Sequence, residues 1–266
     1  MNNGFEQFLV GGRLEMSFDG REPRRAVHCS EIVRASDVAR LEDYMADRPP
    51  YFYKPASEIA DAFRDGYFFS AIKQVLRKLP TAETFQDSHF AEILAGVYGE
   101  EILGLRRLYS KLALLTAENA NAFKMDVLFY RPNTAPIQFV FAEVKSSTKT
   151  AEDGWPPGHD ASCFASLFAS LNKYKEADRE FDLDRIKECM VDLPDADREA
   201  ITRALLPHRA RHVQFAGFCV IDISTRDLDE AAVLATRSND KTFDVDLLCV
   251  AELPAVVAAT YQRLAG

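Results

Sequence analysis

Two hydrophobic periodicities alternate along the chain, and together they predict an α/β protein. In several segments apolar side chains recur every three to four positions, which is the spacing of a helix with one buried face. These segments span residues 37–47, 58–78, 89–103, 160–175, 182–192, 195–206 and 254–264. The second segment carries an aromatic cluster that we expect to pack in the core, made of Phe63, Tyr67, Phe68 and Phe69.

Other segments are apolar runs rich in β-formers, and they predict strands. They span residues 109–116, 124–130, 137–144, 212–224 and 243–251. The sequence RPNTAP between the second and third strands predicts a hairpin loop, because its prolines and Asn133 favour a turn. The run at 212–224 is almost wholly apolar, as in a strand that is covered on both faces. We therefore expect a central mixed β-sheet flanked by helices.

The composition is typical of a soluble globular protein. Hydrophobic residues make up 47% of the 266 positions and charged residues 27%, which excludes a disordered chain, a collagen-like fibre and a disulfide-dense miniprotein. The five cysteines form no CxxC pair, so a zinc ribbon and a thioredoxin-like site are excluded. No apolar run reaches the roughly 18 residues of a membrane span, and no signal peptide is evident. We expect a cytoplasmic protein that binds no membrane.

The charge distribution limits how the chain can bind nucleic acid. A net charge of −9 excludes a uniformly basic surface. Residues 100–150 nevertheless carry seven basic and five acidic side chains. Lys111, Lys124 and Lys149 in this region are candidate contacts to DNA phosphates, although scattered solubilising charge explains each one equally well. The pattern predicts weak DNA binding by the chain alone.

Charged residues at the ends of two predicted strands are the candidate site. Asp126 enters a strand of apolar residues, and Glu143 and Lys145 follow the apolar run of the next strand. Residues two apart on a strand point to the same face, so a hairpin of these strands would bring the three side chains together. Paired carboxylates suit Mg²⁺ or Mn²⁺, and a lysine beside the metal can stabilise a phosphate under attack. The pattern favours phosphodiester hydrolysis.

The same residues have a plainer interpretation. A Glu-x-Lys triplet arises by chance in a chain of this composition, and at a strand end it can form an exposed pair that contributes little. Aspartate is depleted within strands, which makes Asp126 less ordinary. Glu92 lies among apolar residues of the preceding helix and is either a boundary residue of that helix or a fourth member of the site.

The four residues resemble the core pattern of PD-(D/E)xK nucleases, in which a helix carries Glu, a strand carries Asp and Glu-x-Lys ends the next strand. Here these residues are Glu92, Asp126, Glu143 and Lys145. Met125 precedes Asp126, so the proline of the pattern is absent. Over residues 66–149 the chain also resembles the HamA C-terminal-like family of the bacterial Hachiman anti-phage system. The segments that carry this resemblance are FAEILAGVYGEEIL, YSKLALLT followed by KMDVLFY, and FVFAEVKSS.

The resemblance implies a restriction-endonuclease-like domain at residues 61–266 and an N-terminal extension at 1–60 that it does not cover. It implies that Asp126 and Glu143 bind the catalytic metal, with the carbonyl of Val144 as a further ligand. Lys145 would act on the attacking water, and Glu92 would support the metal or its water shell. DNA would be the substrate, and a superfamily 2 helicase, HamB, would be the partner.

Two other functions remain open from the sequence. One is a catalytically inactive nuclease fold that binds and regulates a partner protein. The other is an α/β protein whose charged strand ends are accidental. Failure to bind metal at Asp126 and Glu143 would favour either one over the enzyme.

Overall fold

One mixed β-sheet runs through the molecule. The computed structural model describes residues 4–16, 25–34, 37–114, 125–150, 161–186, 189–206, 209–227, 236, 239 and 241–265. Its strands are β1 (Leu9–Glu15), β2 (Val27–Ile32), β3 (Arg106–Ser110), β4 (Val127–Arg131), β5 (Gln138–Ser147), β6 (His212–Asp222) and β7 (Phe243–Val250). They are ordered β1-β2-β7-β6-β5-β4-β3. The predicted α/β class and mixed sheet are confirmed, and the more specific restriction-endonuclease-like core stays a prediction.

The centre of the sheet is parallel and both edges are antiparallel. Strands β2, β7, β6 and β5 run parallel to one another. At one edge β1 pairs antiparallel with β2, and at the other β3, β4 and β5 pair antiparallel in sequence order. The predicted hairpin connects β4 and β5, and Asn133 in its loop has a φ of 61°. Asparagine tolerates this left-handed conformation better than most residues, which is why it suits the turn.

Helices cover both faces of this sheet. They are α1 (Val38–Ala46), α2 (Pro50–Tyr53), α3 (Ala56–Arg64), α4 (Phe68–Leu76), α5 (Glu83–Glu101), α6 (Ala161–Lys173), α7 (Glu176–Arg185), α8 (Asp195–Ala204) and α9 (Leu253–Ala265). Apolar side chains of α1, α2, α5 and α9 share one hydrophobic core with the sheet. Those of α6, α7 and α8 share the core on the opposite face. The sheet is therefore the middle layer of three, as buried parallel strands require.

Helix α5 packs closely against the sheet and against α2. A Cβ atom added at Gly99 would lie 2.6 Å from Cζ of Phe129 on β4, and one added at Gly96 would overlap the ring of Phe52 on α2. Both glycines therefore permit a close approach that no larger residue would allow. The approach fixes the position of Glu92, one turn earlier on the same helix, relative to the strand ends.

The boundaries of several predicted elements are corrected by the structure. The predicted helix at 58–78 is split into α3 and α4, because Gly66 has a φ of +77° and ends α3. The predicted strand at 109–116 ends at Ser110, and a short 3-10 helix follows at Lys111–Leu114. The predicted helix at 182–192 begins earlier, at Glu176, where the Asp178 carboxylate accepts a hydrogen bond from the Lys175 backbone N–H.

The prediction that the aromatic cluster belongs to the core is wrong for the side chains that can be described. Phe63 and Tyr67 are each 69% exposed and Phe69 is 86% exposed. Helix α3 buries none of its residues, and α4 packs inward through Ala71 and Val75. The amphipathic pattern is real, but its aromatic face points outward. The side chain of Phe68 lies outside the described set.

The first two strands lie in the same sheet as the others, because β2 pairs along β7 from Val27 to Ile32. The proposed division of the chain at residue 60 stays a prediction. In the part of the chain that the structure describes, no helix is long and apolar enough to cross a membrane.

Candidate active site

Strand register brings Asp126 beside two other residues of the site. Val127 at the start of β4 pairs with Ala142 of β5, so Asp126 and Glu143 follow one step further along the two antiparallel strands. Val127 also pairs with Ser110 at the end of β3, and the backbone N–H of Lys111 donates to the carbonyl of Asp126 at 2.9 Å. The convergence predicted for the hairpin thus extends to Lys111, the residue that directly follows a third strand.

The carboxylate of Asp126 is held through both oxygens. Its Oδ2 accepts a hydrogen bond of 2.8 Å from the backbone N–H of Val144. Its Oδ1 accepts from the Lys111 ammonium, with a Nζ–Oδ1 distance of 2.5 Å. Asp126 is 5% exposed, so these contacts replace most of the water that a free carboxylate would bind.

Glu143 and Lys145 form an ion pair on the same face of β5. Lys145 Nζ lies 2.6 Å from Glu143 Oε1. The hydroxyl of Ser170 on α6 donates to that same oxygen. Ser170 was not identified from the sequence, because nothing in the pattern of α6 distinguishes it from the other serines of that helix. A hydroxyl that donates to a carboxylate in this way helps to orient it.

Glu92 reaches the site from α5, on the opposite face of the sheet. Its Oε1 lies 3.3 Å from Lys111 Nζ. Its Oε2 is buried and has no hydrogen-bond partner among the described residues. Lys111 therefore bridges Glu92 and Asp126, and the structure brings all four sequence-predicted site residues to one end of β4 and β5.

Burial and like charges shift the protonation of the carboxyl groups. Burial raises the pKa of Glu92 to about 8, the negative charge of Asp126 adds to this rise, and Lys111 opposes it. Burial likewise raises the pKa of Glu143, again with a contribution from Asp126. Burial disfavours the charge of Lys145, but Glu143 and Asp126 outweigh it and raise the pKa of Lys145. Lys145 is therefore a cation at neutral pH, suited to stabilising negative charge rather than to removing a proton.

The donor chemistry of the site fits a divalent cation. Carboxylate oxygens are the ligands that Mg²⁺ and Mn²⁺ prefer, and Oε2 of Glu92 is buried without a hydrogen bond. Within the described residues, no three histidine, cysteine, aspartate or glutamate side chains are already grouped to hold a metal ion. The Lys111 ammonium lies where two of the carboxylates meet. The metal-ligand roles of Asp126, Glu143 and the Val144 carbonyl stay predictions.

Comparison of the whole sequence with protein families shows which family the chain belongs to. The model of the HamA family matches residues 13–264. The chain belongs to the HamA family. HamA is a component of the Hachiman anti-phage defence system. No curated protein matches the sequence.

The HamA match is longer than the resemblance visible in the sequence. It begins within β1 and includes β2, so it covers most of the first 60 residues. In this HamA-family chain the N-terminal strands and the candidate site are thus parts of the same matched region.

Two of the three lysines proposed as DNA contacts can be placed in this HamA-family chain, and their positions differ. Lys111 is directed inward, with its ammonium on Asp126 and Glu92. Lys149 is exposed just beyond the end of β5. Lys124 lies outside the described residues. Of the two that can be placed, Lys149 is the one positioned to reach a phosphate, and both assignments stay predictions.

His89 is a further buried polar residue near the site that the sequence did not single out. It lies one turn before Glu92 on α5, and its Nδ1 is 2.6 Å from the hydroxyl of Tyr53. Burial, together with the positive charge of Lys111, lowers the pKa of His89 to about 4. The imidazole is therefore neutral at physiological pH, which suits the interior of α5. A histidine in an apolar helix gives no sequence signal that separates this role from others.

Proposed function

We propose that this chain is a metal-dependent deoxyribonuclease that works with a superfamily 2 helicase in Hachiman defence. The observation that carries the proposal is the convergence of Asp126, Glu143 and Lys145 at the adjoining ends of β4 and β5. Glu92 joins them through Lys111 from the neighbouring helix. Burying carboxylates and an ammonium costs desolvation free energy, and groups of this kind are concentrated at functional sites.

The proposed reaction is hydrolysis of a DNA phosphodiester. Water attacks phosphorus, the bond to one ester oxygen breaks, and that oxygen leaves with a proton. When bound by Asp126 and Glu143, a divalent ion would supply Lewis-acid polarisation of the phosphate and a more acidic water. Lys145 donates hydrogen bonds to the phosphate as its negative charge grows. Ser170 and the Val144 N–H keep Glu143 and Asp126 in fixed orientations.

The dependence on a helicase is supported by charge and by an exposed surface. A chain with a net charge of −9 attracts DNA weakly, so a partner that already holds DNA would deliver the substrate. Phe63, Tyr67 and Phe69 are all exposed within seven consecutive positions of the α3–α4 region, and a concentration of exposed aromatic side chains favours a surface that another protein covers. We call these three residues the aromatic surface.

The test is DNA cleavage by the purified chain, with and without any superfamily 2 helicase that is encoded beside its gene. Supercoiled and linear DNA are incubated with Mg²⁺ or Mn²⁺, and wild type is compared with Asp126→Asn. We expect metal-dependent cleavage that is faster when the helicase is present. The cleavage rate of Asp126→Asn should be at least about 100-fold lower than that of wild type. Cleavage that survives Asp126→Asn would refute the site, and no cleavage in any combination would refute the activity.

The bridge formed by Lys111 favours a second candidate, an inactive nuclease fold that regulates its partner. In this case the ammonium would be a permanent substitute for the metal. Such a protein would bind the helicase and change its ATPase rate, but Asp126→Asn would leave that effect intact. The cleavage test and the ATPase measurement together separate the two functions.

A further inference from the structure

We infer that Lys111 is an internal counter-cation of the active site, which a divalent metal ion must displace before it can bind. The displacement by a metal rests on the proposed function. The counter-cation role of Lys111 does not depend on it. Its ammonium lies 2.5 Å from Oδ1 of Asp126 and 3.3 Å from Oε1 of Glu92. Asp126 is one of the two predicted metal ligands, and Glu92 is predicted to support the metal or its water shell, so the ammonium lies on oxygens that the metal ion would need.

The need for a counter-cation follows from burial. Asp126 and Glu92 are each 5% exposed, and two carboxylates at close range in a low-dielectric environment repel each other. One ammonium between them cancels much of this repulsion. A metal ion would do the same with two charges, so the two cations compete for one position.

The contacts of Asp126 place the competition at Oδ1 of its carboxylate. Oδ2 is occupied by the Val144 N–H, and Oδ1 faces Lys111. A metal that approaches Oδ1 therefore meets the ammonium.

Only the side chain of Lys111 has to move. Its backbone N–H is bonded to the Asp126 carbonyl at 2.9 Å, which fixes the main chain beside β4. The side chain is 22% exposed, so a route to solvent exists, and a lysine has a flexible four-carbon stem. Lys145 differs, because its ammonium pairs with Glu143 on the α6 face of the sheet.

The experiment compares wild type with Lys111→Met, which retains the length of the aliphatic stem and removes the charge. Mn²⁺ binding is measured by calorimetry, and thermal unfolding is measured in EDTA. We expect Lys111→Met to bind Mn²⁺ about tenfold more tightly than wild type, since no ammonium has to leave. In EDTA we expect its melting temperature to fall by about 5 °C or more. Lys173→Met, at an exposed lysine of α6, should match wild type in both measurements.

A double variant keeps the test valid if Lys111→Met folds poorly. Glu92→Gln combined with Lys111→Met replaces the buried carboxyl group beside the lost ammonium by an amide and should recover most of the lost stability in EDTA. An unchanged melting temperature for Lys111→Met in EDTA would overturn the counter-cation role. If wild type binds Mn²⁺ and Lys111→Met binds it no more tightly, the displacement of Lys111 by the metal would be overturned, but its counter-cation role would not. Absence of Mn²⁺ binding in every variant would instead overturn the metal site of the proposed function, and with it the displacement.

Discussion

The backbone N–H of Val144 donates a hydrogen bond of 2.8 Å to Oδ2 of Asp126. Val144 stands between Glu143 and Lys145, so the strand that carries two candidate catalytic side chains also orients the third. The donor is a main-chain group, so no substitution at position 144 other than proline removes it. Asparagine at position 126 can still accept this bond through its amide oxygen.

Asp126→Asn should therefore separate stability from metal binding. The variant keeps the bond to Val144 and leaves Glu92 as a partner for Lys111, so we expect a loss of only about 1–2 kcal/mol in the free energy of unfolding. Mn²⁺ binding should weaken by about 100-fold, because the amide carries no charge. Asp126→Ala, which loses the bond as well, should be less stable than Asp126→Asn. Equal stability of the two variants in denaturant would show that the Val144 contact contributes nothing.

Ser170 should influence Glu143 without being essential. Ser170→Ala removes a hydrogen bond to a buried carboxylate, which typically costs about 1–2 kcal/mol. We expect the cleavage rate to fall about tenfold, because Glu143 loses one of the contacts that orient it. Ser166 is exposed on the same helix, and Ser166→Ala is the matched control. If the two alanine variants cleave DNA at the same rate, Ser170 has no positioning role.

The protonation of Glu92 should make the metal-free protein less stable at higher pH. Burial raises the pKa of Glu92 from an ordinary value of 4.5 to about 8, so between these values the folded state binds a proton that the unfolded state has released. The contribution of Glu92 to the free energy of unfolding is fully present below about pH 4.5 and is lost as the pH rises through 8. Each unit of pKa difference corresponds to about 1.4 kcal/mol.

Thermal unfolding in EDTA between pH 5 and 9 checks this dependence. We expect the melting temperature of wild type to fall by several degrees relative to that of Glu92→Gln. Glu83→Gln, at an exposed glutamate of the same helix, should follow wild type. Parallel curves for wild type and Glu92→Gln would mean that Glu92 does not take up a proton on folding.

The aromatic surface should be needed for the partner and not for the fold. Phe69 is 86% exposed, so Phe69→Ser should leave the melting temperature within about 1 °C of wild type. We expect its affinity for the helicase to fall at least about tenfold, as for an aromatic residue at the centre of an interface. Phe181→Ser is the control, because Phe181 is an exposed aromatic on α7. Affinity for the helicase is measured by calorimetry. If Phe69→Ser binds the helicase as tightly as wild type, the interface lies elsewhere.

Local features of the sequence were sufficient to predict the core of the site. The loop RPNTAP and the apolar runs beside it predicted the β4–β5 hairpin, and the alternation of side chains along β5 placed Glu143 and Lys145 together. These features depend on neighbours in the chain, and local patterns describe them well.

Features that depend on distant contacts were not predictable. Lys111 faces Asp126 because β3 pairs with β4, and its charge alone suggested a DNA contact. The amphipathic pattern of α3 and α4 could not show whether their aromatic side chains face the core or the solvent. The parallel pairing of β2 with β7 joins segments more than 200 positions apart, which no local periodicity encodes.

The most direct test of the proposed nuclease site compares two lysines in one cleavage assay. Lys145 is paired with Glu143 inside the site, and Lys149 is exposed beyond the strand end. With helicase and Mg²⁺ present, we predict that Lys145→Ala lowers the cleavage rate at saturating DNA by at least about 100-fold. Lys149→Ala should leave that rate near the wild-type value and weaken DNA binding in a salt-dependent way. Equal cleavage rates for Lys145→Ala and wild type would contradict the assignment of this site as the nuclease centre.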